Sequence, residues 1–176
     1  YAQAQLLLER ALKIEENVLG KKHIRVAGIL ENKAIIYKLQ GHYTQAQLLL
    51  KRVLNIEAHI FGKEHLKIAQ SLNNLARLYE SQDEYRLAKR TYERALKILE
   101  KVMRPEHPLV AHDLSQLAEL YGDVLSEYDP ARSRLERAIR TSIDQLGATH
   151  DVAVILENYA LLLMKRIREQ MSLEKP

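Results

Sequence analysis

The chain has no cysteine, so it has no disulfide and no thiolate to ligate a metal or act as a nucleophile. That fits a cytoplasmic protein. Its longest apolar run is the six residues from Tyr159 to Met164, whereas a spanning helix needs about 20. It contains no glycine-rich phosphate loop, no serine nucleophile elbow and no His-Glu-x-x-His pair. Paired carboxylates such as Glu15 and Glu16 have no partner histidine. Catalysis therefore has no candidate residue, and no cofactor is expected. A surplus of one charge is also missing: 27 basic and 23 acidic residues are interleaved, with a net charge of +4. Such a balance gives no reason to expect nucleic acid or membrane as a partner. No charged-then-apolar leader opens the chain, and Tyr1 starts in mid-repeat. The expectation is an untargeted, soluble fragment of something longer.

What the sequence does contain is one phrase, repeated. Ser71-Leu72-Asn73-Asn74-Leu75-Ala76-Arg77-Leu78-Tyr79 recurs 42 residues earlier from Ile29 to Tyr37, 42 later from Asp113 to Tyr121, and again from Ile155 to Leu163. A fixed period between 20 and 50 residues marks a repeat architecture, in which layers stack along one dimension around a continuous core.

Between the copies the apolar residues follow helical spacing. Ala4, Leu7, Leu8, Ala11, Leu12, Ile14 and Val18 define an amphipathic first helix. Gly20 ends it by taking a left-handed C′ conformation. A second helix runs from about 25 to 40 and stops at Gly41, and Tyr43-Thr44-Gln45-Ala46 then restarts the pattern of Tyr1-Ala2-Gln3-Ala4. Further helices follow at about 43–61, 66–82, 85–103, 108–122, 128–146 and 150–170. Gly62 and Gly147 repeat the Gly20 stop, and Arg104-Pro105 replaces it in the third copy. The Tyr121-to-Tyr128 gap is one residue longer than the two before it. A small distortion is expected there, with Asp129 as N-cap and Pro130 at the first helical position. The organisation is a single array: a half repeat at 1–20, repeats at about 24–62, 66–104 and 108–147, a terminal helix at 150–170 and a tail at 171–176.

Small residues recur where helices must approach closely: Ala34, Ala76, Ala118 and Ala160; Ala4, Ala46, Ala88 and Ala131; Ala11, Val53, Ala95 and Ala138. Lys33 breaks the apolar position held by Leu75, Leu117 and Tyr159, and its stem is expected to snorkel with the ammonium outside.

These rows resemble the tetratricopeptide repeat family. The 42-residue unit, with loops such as Leu19-Gly20-Lys21-Lys22-His23, Phe61-Gly62-Lys63-Glu64-His65 and Pro105-Glu106-His107-Pro108, is similar to its kinesin light chain subclass. The resemblance implies an all-α fold, an α-α superhelix or solenoid of about eight antiparallel helices. The first helix of each pair would line a concave groove and bind a peptide or partner domain without doing chemistry. Similar long repeats also occur in arrays attached to nucleotide-switch proteins. An oligomerisation or regulatory segment of such a protein is therefore the alternative reading.

By that register the groove residues are Glu31, Asn32, Ile35 and Lys38 in the first copy and Gln70, Asn73, Asn74, Arg77 and Glu80 in the second. The third supplies His112, Gln116, Glu119 and Asp123, and the fourth Glu157, Asn158, Leu161 and Met164. Asn32, Asn74, Gln116 and Asn158 hold one position in successive repeats. A carboxamide both donates and accepts, so a row of them suits the backbone of an extended peptide. The other use of such a row is to register the stack. The resemblance further implies that a carboxylate clamp needs Lys or Arg at the positions of Glu31, Asn73, Ser115 and Glu157, and of Ile35, Arg77, Glu119 and Leu161. Only Arg77 complies, so an acidic C-terminal tail is not the expected ligand. A mixed or mildly basic peptide with apolar anchors fits better.

His23, His65, His107 and His150 recur once per repeat. Helix axes pack 8–10 Å apart and metal–nitrogen bonds are about 2 Å, so equivalent histidines cannot share an ion. Capping or loop packing is expected, and no metal. Arg86, Arg90, Arg94, Lys97 and Lys101 form a basic stripe with Lys89 beside it, and Glu93 stands at helical pairing distance from Lys89 and Lys97. The stripe reads as a solvated face. The first and last helices each lack the other member of their pair, which leaves room for self-association through the terminal helices.

Overall fold

The computed structural model describes the chain except for residues 104–106, 122–126, 147–149 and 174–176, and the side chains of 108, 128, 142, 144–146, 150–153 and 167–173. Its described elements are α1 (Ala2–Leu19), α2 (Ile24–Leu39), α3 (Tyr43–Phe61), α4 (Leu66–Glu80), α5 (Tyr85–Val102), α6 (Pro108–Glu119), α7 (Tyr128–Leu146) and α8 (His150–Leu173). All eight are helices. They form two compact units, Tyr1–Ile98 and Leu99–Pro176, with the division falling inside α5.

Each helix begins and ends for a local reason. The Nδ1 atoms of His23, His65 and His107 accept the backbone N–H of Arg25, Lys67 and Leu109, each at 3.2 Å. These bonds satisfy one of the orphan donors at the start of α2, α4 and α6. Phe61 stacks on the His65 ring at 4.4 Å, which braces that loop from the preceding helix. Gly20 and Gly62 end α1 and α3 at φ 85° and 83°, as expected, but with ψ at 159° and 173° rather than the left-handed helical value. That region belongs almost entirely to glycine. The bend after α2 uses Gly41 at φ 76°, and its counterpart after α4 uses Asp83 at φ 58°, whose carboxylate accepts the Tyr85 hydroxyl at 2.5 Å. The expected stops at Gly147 and at Arg104-Pro105 lie outside the described residues.

In the first unit, Val26, Ala27 and Leu30 of α2 meet Val53 and Ile56 of α3, with Leu12, Ile24 and Leu49 packed around them. The period-3.6 spacing of Ile68, Leu72, Leu75 and Tyr79 buries one side of α4. The second unit buries Val110, Leu114 and Leu117 of α6, Leu135 of α7, and Ile155 and Leu162 of α8. Each such side chain contributes about 1.5–3 kcal/mol.

The rows of small residues divide by position. Ala46, Ala76, Ala88, Ala95, Ala131 and Ala138 are wholly buried, whereas Ala4 and Ala160, the outermost copies, are exposed. The reason is packing: an interior copy has helices on both sides of it.

Three expectations are corrected. Lys33 does not carry its ammonium out to solvent; it is buried, and its Nζ lies 3.4 Å from Glu9 of α1. A buried ammonium needs a counterion, and Glu9 provides it. Asp129 does not cap α7 from outside, because α7 already starts at Tyr128; Asp129 lies within its first turn and holds Arg166 of α8 at 3.0 Å. The terminal helix runs on to Leu173, not 170. Near the lengthened Tyr121-to-Tyr128 gap, α6 passes into a π-helical turn at 120–121, a geometry that accommodates extra residues.

Replacing Ala76, which has no exposed surface, by leucine should cost about 1–3 kcal/mol through overpacking. A thermal melt should show a loss of several degrees, while Ala160→Leu in the same row should leave the melt unchanged.

Candidate functional site

The faces of α2, α4, α6 and α8 that do not enter the core carry the residues expected to form the groove. On α2, Asn32 and Ile35 are exposed, and Glu31 and Lys38 are half-buried. On α4, Gln70, Asn74 and Arg77 are exposed, with Asn73 and Glu80 half-buried. On α6, His112 and Glu119 are exposed and Gln116 is half-buried. On α8, Glu157, Leu161 and Met164 are exposed and Asn158 is half-buried. Asp123 lies outside the described residues. Because α2 and α4 belong to one unit and α6 and α8 to the other, these are two faces.

In the first unit, α4 is fastened to α2 and α3 by one hydroxyl. Ser71 Oγ lies 2.6 Å from Glu57 Oε2 of α3 and 3.3 Å from Glu31 Oε1 of α2. Glu57 is 2% exposed. Its burial pushes its carboxyl above the usual range, the Ser71 hydrogen bond opposes this, the nearby Glu31 carboxylate adds to it, and Lys67 opposes it. Ser71 and Glu57 stand beneath the face but were not among the residues expected to form it. The signal was available, since a serine sits where Ile29 and Ile155 stand in other copies, and Asp113, likewise buried, holds the same place in α6.

Not every expected groove residue is free to meet a ligand. Glu80 Oε2 accepts the Tyr92 hydroxyl at 2.8 Å, and burial, followed by that bond, holds the Tyr92 hydroxyl well above its ordinary pKa. Glu80 therefore serves the α4–α5 packing. Asn158 Nδ2 donates to Glu119 Oε1 at 2.6 Å, joining α8 to α6. That amide ties two repeats together across the stack, and its carbonyl oxygen is the part left for other work. Asn32 and Asn74 have no side-chain partner among the described residues. In the second unit Glu119, Asn158 and Leu161 converge with Ala118, Leu135 and Leu162 on a cavity of about 40 Å³, room for about one small group.

The recurring histidines meet helix starts, as described above, and His150's side chain lies outside the described set. Among the described residues no cluster of three metal-ligating side chains occurs. No described helix is long and apolar enough to cross a membrane.

These features define an all-α solenoid of helix pairs, each pair exposing its first helix at the same register. The tetratricopeptide repeat family model matches residues 1–58 and 50–101, and the chain belongs to that family, whose members typically are non-enzymatic scaffolds for protein–protein contact. A search of curated proteins finds no match. Among solved structures, the nearly identical TPR-like repeats assigned to a kinesin light chain of Podosopora anserina align with a TM-score of 0.79 at 24% identity, over 98% of this chain and 82% of theirs. BtubC (BKLC) from P. vanneervenii aligns at 0.79 and 23% identity, over 99% of this chain and 76% of its own. The Sgt2 TPR domain from Aspergillus fumigatus aligns at 0.60 and 17%, covering 85% of each. These likenesses concern the fold.

Because folded Glu57 holds its proton more tightly than the unfolded chain does, the native state loses stability as pH rises above the ordinary value of 4.5 and through the raised one. Glu57→Gln keeps an acceptor for Ser71 and removes the charge. It should raise the melting temperature at neutral pH, with the gain shrinking toward mildly acidic pH, in melts compared across that range.

Proposed function

We propose that the protein is a cytoplasmic scaffold or adaptor that takes a peptide or a partner domain along the exposed faces of its first-type helices. The observation that carries this reading is the stripe itself: Gln70, Asn74 and Arg77 on α4, and the equivalent Gly28, Asn32 and Ile35 on α2, leave the packing to the opposite side of each helix. Asn32 and Asn74 offer uncommitted amides one repeat apart, suited to the N–H and C=O groups of an extended backbone whatever its side chains. Apolar anchors would meet Ile35 and Leu39 in one unit, 54% and 60% exposed, and Leu161 and Met164 in the other. Glu31, Glu80, Glu119 and Glu157 stand against Lys38, Arg77 and Lys165 along these helices, so the faces carry no basic surplus and suit a mixed or mildly basic peptide better than a strongly acidic one. Nucleic acid and membrane are not part of this reading.

One observation supports self-association as a second reading. Leu7, Ile14 and Val18 of α1 are 61%, 53% and 73% exposed and lie on one stripe of that helix. An oligomerisation or regulatory segment of a larger switch protein would use such a face.

A peptide-display screen on the wild type should enrich ligands that Asn74→Ala together with Arg77→Glu no longer binds, while Asn74→Ala alone leaves the thermal melt nearly unchanged. A large loss of stability with unchanged affinity would assign the amides to the stack instead. Light scattering at high concentration should return a monomer; a concentration-dependent mass favours self-association.

A further inference from the structure

Consecutive second-type helices are joined by an arginine and a glutamate one repeat apart. Arg52 of α3 bonds Glu16 of α1, and Arg137 of α7 bonds Glu100 of α5, Nη1 to Oε1, at 2.5 Å. The register makes Arg52, Arg94 and Arg137 equivalent, and likewise positions 16, 58 and 100. Position 58 is alanine. Arg94 thus stands to Ala58 as Arg52 stands to Glu16, without the carboxylate. It is exposed and has no ion-pair partner among the described residues.

Its surroundings add charge of the same sign. In the first copy the notch lined by Glu16, Lys21, Lys22, Arg52, Asn55 and Ile56 encloses about 410 Å³. The equivalent positions of the next copy hold Lys63 in the loop and Lys97 beside Arg94, both exposed. Lys97 was expected to pair with Glu93, yet it too has no partner among the described residues, while Glu93 and Lys89 do. Arg90, one turn before Arg94, is likewise exposed and unpaired. Of the acidic groups nearby, Glu64 is in the same loop and is itself engaged.

We infer that the outer face of α5, centred on Arg94, is a second docking surface, and that it takes an acidic peptide segment of a partner. The two neighbouring copies show what this arginine position holds, a carboxylate at hydrogen-bond distance. A guanidinium matches a carboxylate in shape as well as charge. In the middle copy the partner supplies the group that Ala58 lacks, and Arg90, Lys97 and Lys63 hold the carboxylates on either side. The span from Arg90 to Lys97 is roughly 10 Å along the helix, matching about three residues of an extended strand. This surface is separate from the first-helix faces, which carry no comparable basic surplus.

The test is fluorescence anisotropy with a labelled octaglutamate peptide on the whole chain. Binding that weakens with salt is expected. Arg94→Ala and Ala58→Glu should each weaken it about tenfold. The second variant installs the missing carboxylate, so its melting temperature should be equal or higher, which separates lost binding from lost folding. Ala58→Gln, similar in size and uncharged, should bind as the wild type does. The inference is overturned if octaglutamate does not bind at low salt, if Ala58→Glu binds as tightly as the wild type, or if Ala58→Gln loses as much as Ala58→Glu. It is equally overturned if an oligouridylate or phosphatidylserine vesicles bind this face at least as tightly as the peptide.

Discussion

The closeness with which neighbouring helices can approach governs everything else in this chain. At Ala46, Ala76, Ala88, Ala95, Ala131 and Ala138 no surface is left for solvent, so the side chain there can be no larger than a methyl group without moving a helix. The 42-residue spacing returns these methyls to the same contact in each layer. Once the contact is fixed, the rest of each helix has its orientation decided: leucines and valines fall into the core, and one polar stripe is turned away from it. The candidate binding faces are a by-product of that packing, because the register that buries Leu72 and Ala76 exposes Asn74 and Arg77.

Much of this was legible in the residues. Eight apolar stretches at helical spacing predicted eight helices, and most boundaries lie within two residues of those expected. What escaped was tertiary. Lys33 in an apolar slot reads as a snorkelling side chain until Glu9, on another helix, proves to be opposite it. Glu57 sits at a position that is not apolar in every copy, so its burial could not be read from spacing alone. The glycine stops were recognised because few other residues end a helix that way, but ψ depends on where the next helix packs, and that is not a local property.

The candidate site was legible in part, for the same reason. Exposure follows from helical phase, so the expected groove residues that are described, all but Asp123, keep access to solvent. Whether a polar group is free or spent depends on a neighbour one repeat away. Asn74 and Asn158 look alike in the alignment of copies, yet Asn158 meets Glu119 while Ile35 holds the corresponding place for Asn74. The same logic separates Arg52 from Arg94, alike in sequence context and opposite in state, since Glu16 is present for one and Ala58 for the other.

The histidines that begin α2, α4 and α6 carry one more implication. Each receives an amide proton at Nδ1, so the ring's own proton is confined to Nε2 and the tautomer is set by the helix start. A transition-metal ion approaching one of these rings would find the lone pair of Nδ1 already in use and Nε2 protonated. Coordination would require either giving up a helix cap or stripping the ring to an imidazolate. The start of each of these three helices thus sets the tautomer of its own histidine.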